Sequence, residues 1–354
     1  MAYARGAAGS AAVLPRGSAI SDRSALIRFA ALAGVVLSVL GALCLGRFPL
    51  SPGRVLGVFG SLLHLSSASD PVAQVVVMQA RLPRILAALL VGSALSCGGA
   101  TYQAVFRNPL VSPDLLGVLS GAAFGAALSI VSGGSAVVVQ MGAFGGGLLA
   151  VGTGLLISRT LPGGGILTLL LGGLIGNAIF TALLSLVKYL ADPMDQLPAI
   201  VNWLLGSLAP SGWQQLAWMS GPLIVLTVAL VLCAPMLDVL SLGDDEARSL
   251  GVSVQVMRPA LIVLATLACA MTISMAGIIG WIGLLVPHVA RLLVGAEHRS
   301  MMPVCALLGA GGLVLADTCA RSLTTGEVPL GIVTQLFGAL AFVLVLRRLR
   351  RGVE

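Results

Sequence analysis

The sequence predicts an all-α polytopic membrane protein of about ten transmembrane helices, and three observations carry that prediction. Hydrophobic residues make up 58% of the 354 and charged residues only 9%, where a soluble domain carries about 25% charged. The mean hydropathy is +1.04. Charge-free runs recur along the chain, at 29–46, 85–106, 115–158, 160–187, 259–290, 300–316 and 328–346. A span needs about 20 residues.

From the N-terminus, the first 24 residues are rich in Ala, Gly, Ser and Arg, and they are expected to form a disordered cytoplasmic tail ahead of a single transmembrane domain at 25–350. The first run ends in "LGALC" at Cys44. Leu43 stands where a lipoprotein cleavage site needs a small residue, so an uncleaved first helix is expected. The second span enters behind Arg81-Leu-Pro-Arg84. It closes at Arg107-Asn108-Pro109, where proline cannot continue a helix and Asn can cap the next element. The run 115–158 holds two spans divided at "SGGSA" (132–136), and 160–187 holds one. Another, at about 214–237, lies after "SGWQQLAWMSG". Gly277, Gly280, Gly283 and Pro287 break 259–290 into two shorter spans, and 300–316 and 328–346 supply the last two.

An even count puts both termini on one side. Loops assigned to that side hold 14 of the 20 Lys and Arg, while Arg47, Arg54, Arg81, Arg84, Lys188 and Arg321 fall on the other. The positive-inside rule therefore places both termini in the cytoplasm. The net charge of +7 reflects this topology and calls for no nucleic-acid partner.

Several chemistries are excluded or unsupported. Lys188, in "SLVKYL", is the only lysine, so no G-x-x-x-x-G-K-[ST] phosphate loop exists in this chain. If ATP drives it, another polypeptide hydrolyses it. Ion-coupled carriers usually hold acids or bases within their spans, whereas here the ionisable groups gather at helix ends, with Asp317 and Lys188 near the margins. A serine hydrolase built on Ser120 and His288 has only glycine-flanked, packing-type surroundings to support it. The cysteines at 44, 97, 233, 269, 305 and 319 sit singly in apolar segments and read as small core residues, with no metal or cofactor implied. Glycine clusters such as "GAFGGG" and "LLLGGLIGNA" suit helices packed closely in lipid.

One segment breaks the apolar pattern. In "LSLGDDEARSLGV" (240–252) three consecutive acids, Asp244, Asp245 and Glu246, stand in a chain with only 13. Acids suit a helix start through its dipole, Ala247, Leu250 and Val252 form an apolar face, and Gly251 suits a left-handed helix end. These features allow a short amphipathic helix on the cytoplasmic side, while composition alone favours a solvated loop.

Taken together, "RLPR" (81–84), "Q…RNPL…P…LG…GA", "LG…A…LGV", "GLLVPH…R" and "AD…AR…EVPLGIVT" occur in the order and spacing of one family. The chain from about 25 to 350 resembles the permease subunits of FecCD/BtuC-type ABC importers, which handle iron–siderophore complexes, haem and cobalamin. Leu340 departs from it, standing where the family often has proline.

The resemblance implies a type II ABC importer permease fold in a bacterial inner membrane. It implies a cytoplasmic ABC ATPase dimer, a periplasmic or extracellular substrate-binding protein, and a second permease copy, identical or paralogous, across a two-fold axis. The segment 240–252 is then the ATPase-coupling helix, with contact residues Gly243, Asp244, Asp245, Glu246, Ala247, Arg248, Leu250 and Gly251. Arg81, Arg84 and Arg321 match the arginines that face outward to seat the binding protein; interfacial anchoring is the other reading of Arg81 and Arg84. The pathway falls to about 165–190 and 328–346, with Asn177, Thr181, Thr334 and Gln335 as contact candidates and Gly163-Gly164-Gly165 as an inner gate. An iron–siderophore complex is the first expected substrate, then haem, then cobalamin or molybdate. An ion-coupled carrier is the rival class.

Overall fold

The structure, a computed structural model, describes residues 16–62, 70–163, 165–324 and 326–351. Within them the chain is helical: α1 Arg16–Cys44, α2 Pro52–Leu62, α3 Pro71–Val75, α4 Leu82–Val105, α5 Val118–Val131, α6 Ala136–Thr160, α7 Ile166–Leu190 and α8 Gln196–Leu204 come first. Next are α9 Trp213–Leu232, α10 Ala234–Leu242, α11 Asp244–Ser249, α12 Val254–Ala276, α13 Ile282–Val294, α14 His298–Ser322 and α15 Leu330–Arg351. Seven helical stretches are long and apolar enough to cross a membrane, and three shorter apolar helices (Val118–Val131, Ile282–Val294, Leu330–Val345) accompany them. These ten coincide with the ten expected spans. α1 begins at Arg16, inside the stretch expected to be a tail; residues 1–15 lie outside the described residues.

α3 and α4 form one continuous stretch, Pro71–Val105. A π-helical turn, Val76–Arg81, joins them, and the Leu82 N–H bonds the Val77 carbonyl five residues back. Pro83 cannot donate, so a wider turn here leaves no ordinary ladder bond unmade. α4 is the central helix and packs against α14, α12, α9 and α13. Of the apolar window of α12, 67% is buried, against 17% for α1, which separates core helices from peripheral ones. Helices α5, α6 and α7 pack on one another as a second group that α12 ties to the first.

Glycine decides how close these helices come. A Cβ on Gly92 would lie 2.2 Å from the Gly309 carbonyl oxygen, and one on Gly309 2.3 Å from that of Gly92. No side chain fits there, so α4 and α14 touch backbone to backbone. The Ser96 hydroxyl then reaches the Cys305 carbonyl across the same seam at 2.8 Å. Closeness of this kind replaces the hydrophobic drive that lipid removes.

Three non-helical breaks meet at one point. Ser207 N–H bonds the Ala276 carbonyl, and the N–H groups of Leu330 and Gly331 bond the carbonyls of Gly206 and Leu205. Backbone freed from helices in an apolar protein must find internal partners, and these breaks satisfy one another. Gly206 and Gly277 take φ of +71° and +70° there, with backbone oxygens 2.5 Å from where each Cβ would stand. The expected division of 259–290 at Gly277 is this break.

Of the six cysteines, all free, only Cys97, Cys269 and Cys305 are buried; Cys44 and Cys233 are half-buried and Cys319 is exposed. The core reading therefore holds for three. Ser120 donates to the Gly117 carbonyl, and His288 packs edge-on to Phe342. The structure gives the two separate partners, with no nucleophile–base contact.

Candidate functional site

At one end of the bundle the acidic segment forms α11, as expected. Glu246 folds back over the helix start, into the space a Cβ on Gly243 would need. Gly251, at φ +80°, ends the helix, and the Val252 N–H closes on the Ala247 carbonyl at 3.0 Å.

The three acids differ sharply. Asp244 is engaged inside the chain: Arg258 of α12 donates to its two oxygens at 2.7 and 3.1 Å, and Arg107 adds a further bond. Arg107 takes φ +49° just past α4 and also donates from Nε to the Leu240 carbonyl at 2.8 Å. The paired contact from Arg258, backed by Arg107, holds the Asp244 carboxyl down at about 2. Asp245, by contrast, is 93% exposed and pairs only with Arg248 one turn on, at 3.0 Å. Ala247 is fully buried while Leu250 is 60% exposed. Of the residues expected to face a partner, Ala247 is buried and Asp244 is half-buried on its two arginines. They fix the helix to the bundle, and Asp245, Glu246, Arg248 and Leu250 are the exposed part.

The expected gate lies beside this helix. Gly163 and Gly165, at φ +105° and +87°, line a cleft of about 530 Å³ together with Arg159, Asp244, Arg248 and Arg258. Gly164 lies outside the described residues. Two groups of residues singled out separately in the sequence therefore share one wall.

At the opposite end, α4 begins where α14 finishes. α4 has 24 residues, so its two ends stand about 36 Å apart at 1.5 Å per residue. Arg84 Nε donates to both oxygens of Asp317 at 2.8 and 3.0 Å, its Nη2 lies 2.8 Å from the same carboxylate, and its Nη1 donates to Glu327 at 2.8 Å. Arg321 Nε stands 3.1 Å from Asp317, an ion pair off the line of a hydrogen bond. Arg81 donates to the carbonyls of Leu43 and Phe48. The three arginines expected to seat the binding protein gather at this end with internal partners, at 4%, 7% and 7% exposed, with Asp317 at 1%. Buried guanidinium groups require partners, and the chain supplies them. A small cleft of about 160 Å³ opens on this cluster, lined also by Gly46, exposed Arg47 and Glu327.

The expected pathway residues fall in different groups of helices. α7 packs on α5 and α6, whereas α15 packs on α13 and α14. Asn177 is half-buried, its backbone against Gly117, and Thr181 is exposed. Thr334 is buried and donates to the Gly331 carbonyl at 3.2 Å. Gln335 reaches a cavity of about 320 Å³ lined also by Asp114, Gly280 and Trp281. α15 runs unbroken through Leu340, so the missing proline leaves this helix continuous.

Sequence reading missed Arg107 and Arg258 as the holders of α11, and Asp317 and Glu327 as carboxylates of the arginine cluster. It also missed Asp238, which caps α14 from α10 by accepting from the His298 N–H at 2.6 Å and touching its ring at 2.8 Å. The available signal was rarity: each is one of only 20 basic or 13 acidic groups in the chain.

Comparison with known proteins places this geometry. The model of the FecCD transport family matches residues 33–348. The molybdate import system permease protein MolB of Haemophilus influenzae is 40% identical over 90% of this chain and 94% of its own. A probable iron chelatin transport system permease of Helicobacter pylori is 38% identical over 90% and 97%. A solved inward-facing ABC transporter described as of metal-chelate type superposes with a TM-score of 0.83, at 37% identity, over 92% of this chain and 99% of that one. With ten matching spans and a family match over nearly its whole length, this multi-pass membrane protein belongs to the FecCD transport family of ABC-importer permeases.

Proposed function

We propose that this chain is one half of the permease of a binding-protein-dependent ABC importer in a bacterial inner membrane, with both termini cytoplasmic. A separate ATPase hydrolyses ATP. The observation that carries the proposal is the division of labour within α11. Asp244 is held by Arg107, just past α4, and by Arg258 of α12, and Ala247 is buried, leaving Asp245, Glu246, Arg248 and Leu250 on an exposed face. A helix rigidly rooted in two spans and ringed with charge around an apolar residue is suited to receive a push. Closure of the ATPase pair on ATP would press α11, and the residues lining the shared cleft would pass that movement to Gly163 and Gly165, just before α7. At the other end, Arg81, Arg84 and Arg321 form the seat for the acidic surface of a substrate-binding protein, and a second copy of the permease completes the route between α7 and α15.

The substrate we assign is an iron chelate. Among the described residues no group of three or more His, Cys, Asp or Glu could hold a bare metal ion, and polar side chains along α7 and α15 are few, which suits a large chelate passed with little grip. Molybdate is the second reading, favoured by the 40% identity with a molybdate permease. The test is ATP-driven uptake into proteoliposomes holding permease, ATPase and binding protein, with labelled ferric chelates and labelled molybdate offered separately. Uptake of the ferric chelate alone supports the first reading, and uptake of molybdate alone replaces it with the second.

A further inference from the structure

The arginine cluster contains one pair unlike the rest. Asp317 is 1% exposed, lies inside α14 and meets both Arg84 and Arg321, so it belongs to the core. Glu327 differs on every count. It stands on non-helical chain between α14 and α15, its side chain is 31% exposed, and it meets Arg84 at the single contact from Nη1, 2.8 Å long. It also lines the small cleft that opens on the cluster.

Donor counting shows why this matters. A guanidinium has five N–H donors in a fixed fork. On Arg84, Nε and Nη2 face Asp317 and Nη1 faces Glu327. On Arg81, both Nη atoms face carbonyls. These contacts leave Arg84 one further N–H on each Nη, so a carboxylate arriving from outside to bridge Nη1 and Nη2 competes with Glu327 at Nη1. The exchange is chemically even, one carboxylate for another, and the released Glu327 is near enough to solvent to be rehydrated.

Glu327 is also tied to the far side of the chain. The next residue, Val328, bonds the Ala320 carbonyl at the end of α14, and after Pro329 the N–H groups of Leu330 and Gly331 bond Gly206 and Leu205. Those bonds set the start of α15, which carries Thr334 and Gln335. A change at Glu327 is therefore three residues from the anchor of that helix.

We propose that Glu327 is an internal stand-in for the partner's carboxylate: it occupies the outer edge of Arg84 in the undocked chain, an acidic side chain of the binding protein displaces it, and the displacement loosens the anchor of α15. Glu327 is thus a positioning residue that links docking to the helix expected to line the route. This rests on the docking reading above, and the experiment separates the two.

The experiment measures the affinity of the purified, substrate-loaded cognate binding protein for the full permease–ATPase complex in nanodiscs, together with ATPase activity without and with that protein. The variants are Glu327→Gln, Glu327→Asp and Arg84→Gln. Removing the competing charge in Glu327→Gln tightens binding by roughly fivefold, the scale of one partly exposed ion pair, and raises the unstimulated ATPase rate. Glu327→Asp, which keeps the charge on a shorter arm, falls between Gln and wild type. Misfolding cannot imitate this ordering, because it weakens binding. If Glu327→Gln leaves affinity unchanged or lowers it while Arg84→Gln weakens binding, Glu327 is a structural partner only and the stand-in idea is wrong. If Arg84→Gln also leaves binding unchanged, the docking reading falls with it.

Discussion

Asp244 and Asp317 show how much a single carboxylate does in a chain with so few. Asp317 neutralises two guanidinium groups in a nearly dry site. Asp317→Asn leaves Arg84 with Glu327 alone and takes the carboxylate away from buried Arg321, which costs about 3–5 kcal/mol. The expected outcome is a fall in folded yield and melting temperature in detergent, with Glu327→Gln close to wild type in the same assay. Asp244 is half-buried, so Asp244→Asn costs less, about 1–2 kcal/mol. It loosens α11 and lowers the amount of substrate moved per ATP, with the ATPase still bound. The pH dependence follows from its depressed carboxyl, at about 2. The folded value lies below the unfolded one near about 4, so the stabilisation is complete above that value. It is lost only as pH falls toward about 2. Substrate moved per ATP is accordingly flat between about pH 8 and pH 5 as far as Asp244 governs it, and a loss across that interval means another group governs the coupling.

At the scale of elements, the helices were legible because charge punctuates them. Arg107, Arg159, Lys188, Arg258 and Arg291 bound the charge-free runs, and α4, α6, α7, α12 and α13 end or begin within a few residues of them. The short amphipathic α11 and its Gly251 terminus are compatible with local chemistry, but composition alone favours a solvated loop and the family resemblance decides for the helix. The orientation of the helix was not legible. Arg107 lies 137 residues from Asp244, and Arg84 lies 233 from Asp317; nothing local tells an acid that meets a partner from one that meets its own bundle. The same limit hid the internal partners of Arg81, Arg84 and Arg321. Glycine-rich stretches announced close packing without saying which helices meet. The structure pairs Gly92 with Gly309, and Gly309→Leu forces a side chain against the Gly92 carbonyl 2.3 Å away. Backbone on both sides cannot give way, so α4 and α14 separate, at a cost of about 1–3 kcal/mol. A lowered melting temperature of the solubilised protein checks this, and Gly145→Ala, with open space at its Cβ, serves as the control.

At the scale of the molecule, two charged ends are joined by apolar helices. One end holds α11 on a two-arginine clamp beside the glycine loop before α7; the other holds the arginine cluster beside the anchor of α15. The helices between them carry few charges, and so the chain has little with which to couple transport to an ion gradient. The direct measurement is co-purification of the ATPase with the intact permease, compared with a variant carrying Asp245→Lys and Leu250→Lys, which leaves Asp244 and its clamp untouched. The expected result is that the ATPase is recovered with the wild-type chain and lost from a variant that remains folded and monodisperse. Undiminished recovery with the variant, or substrate movement by the permease alone down an ion gradient, would contradict the coupling role of α11.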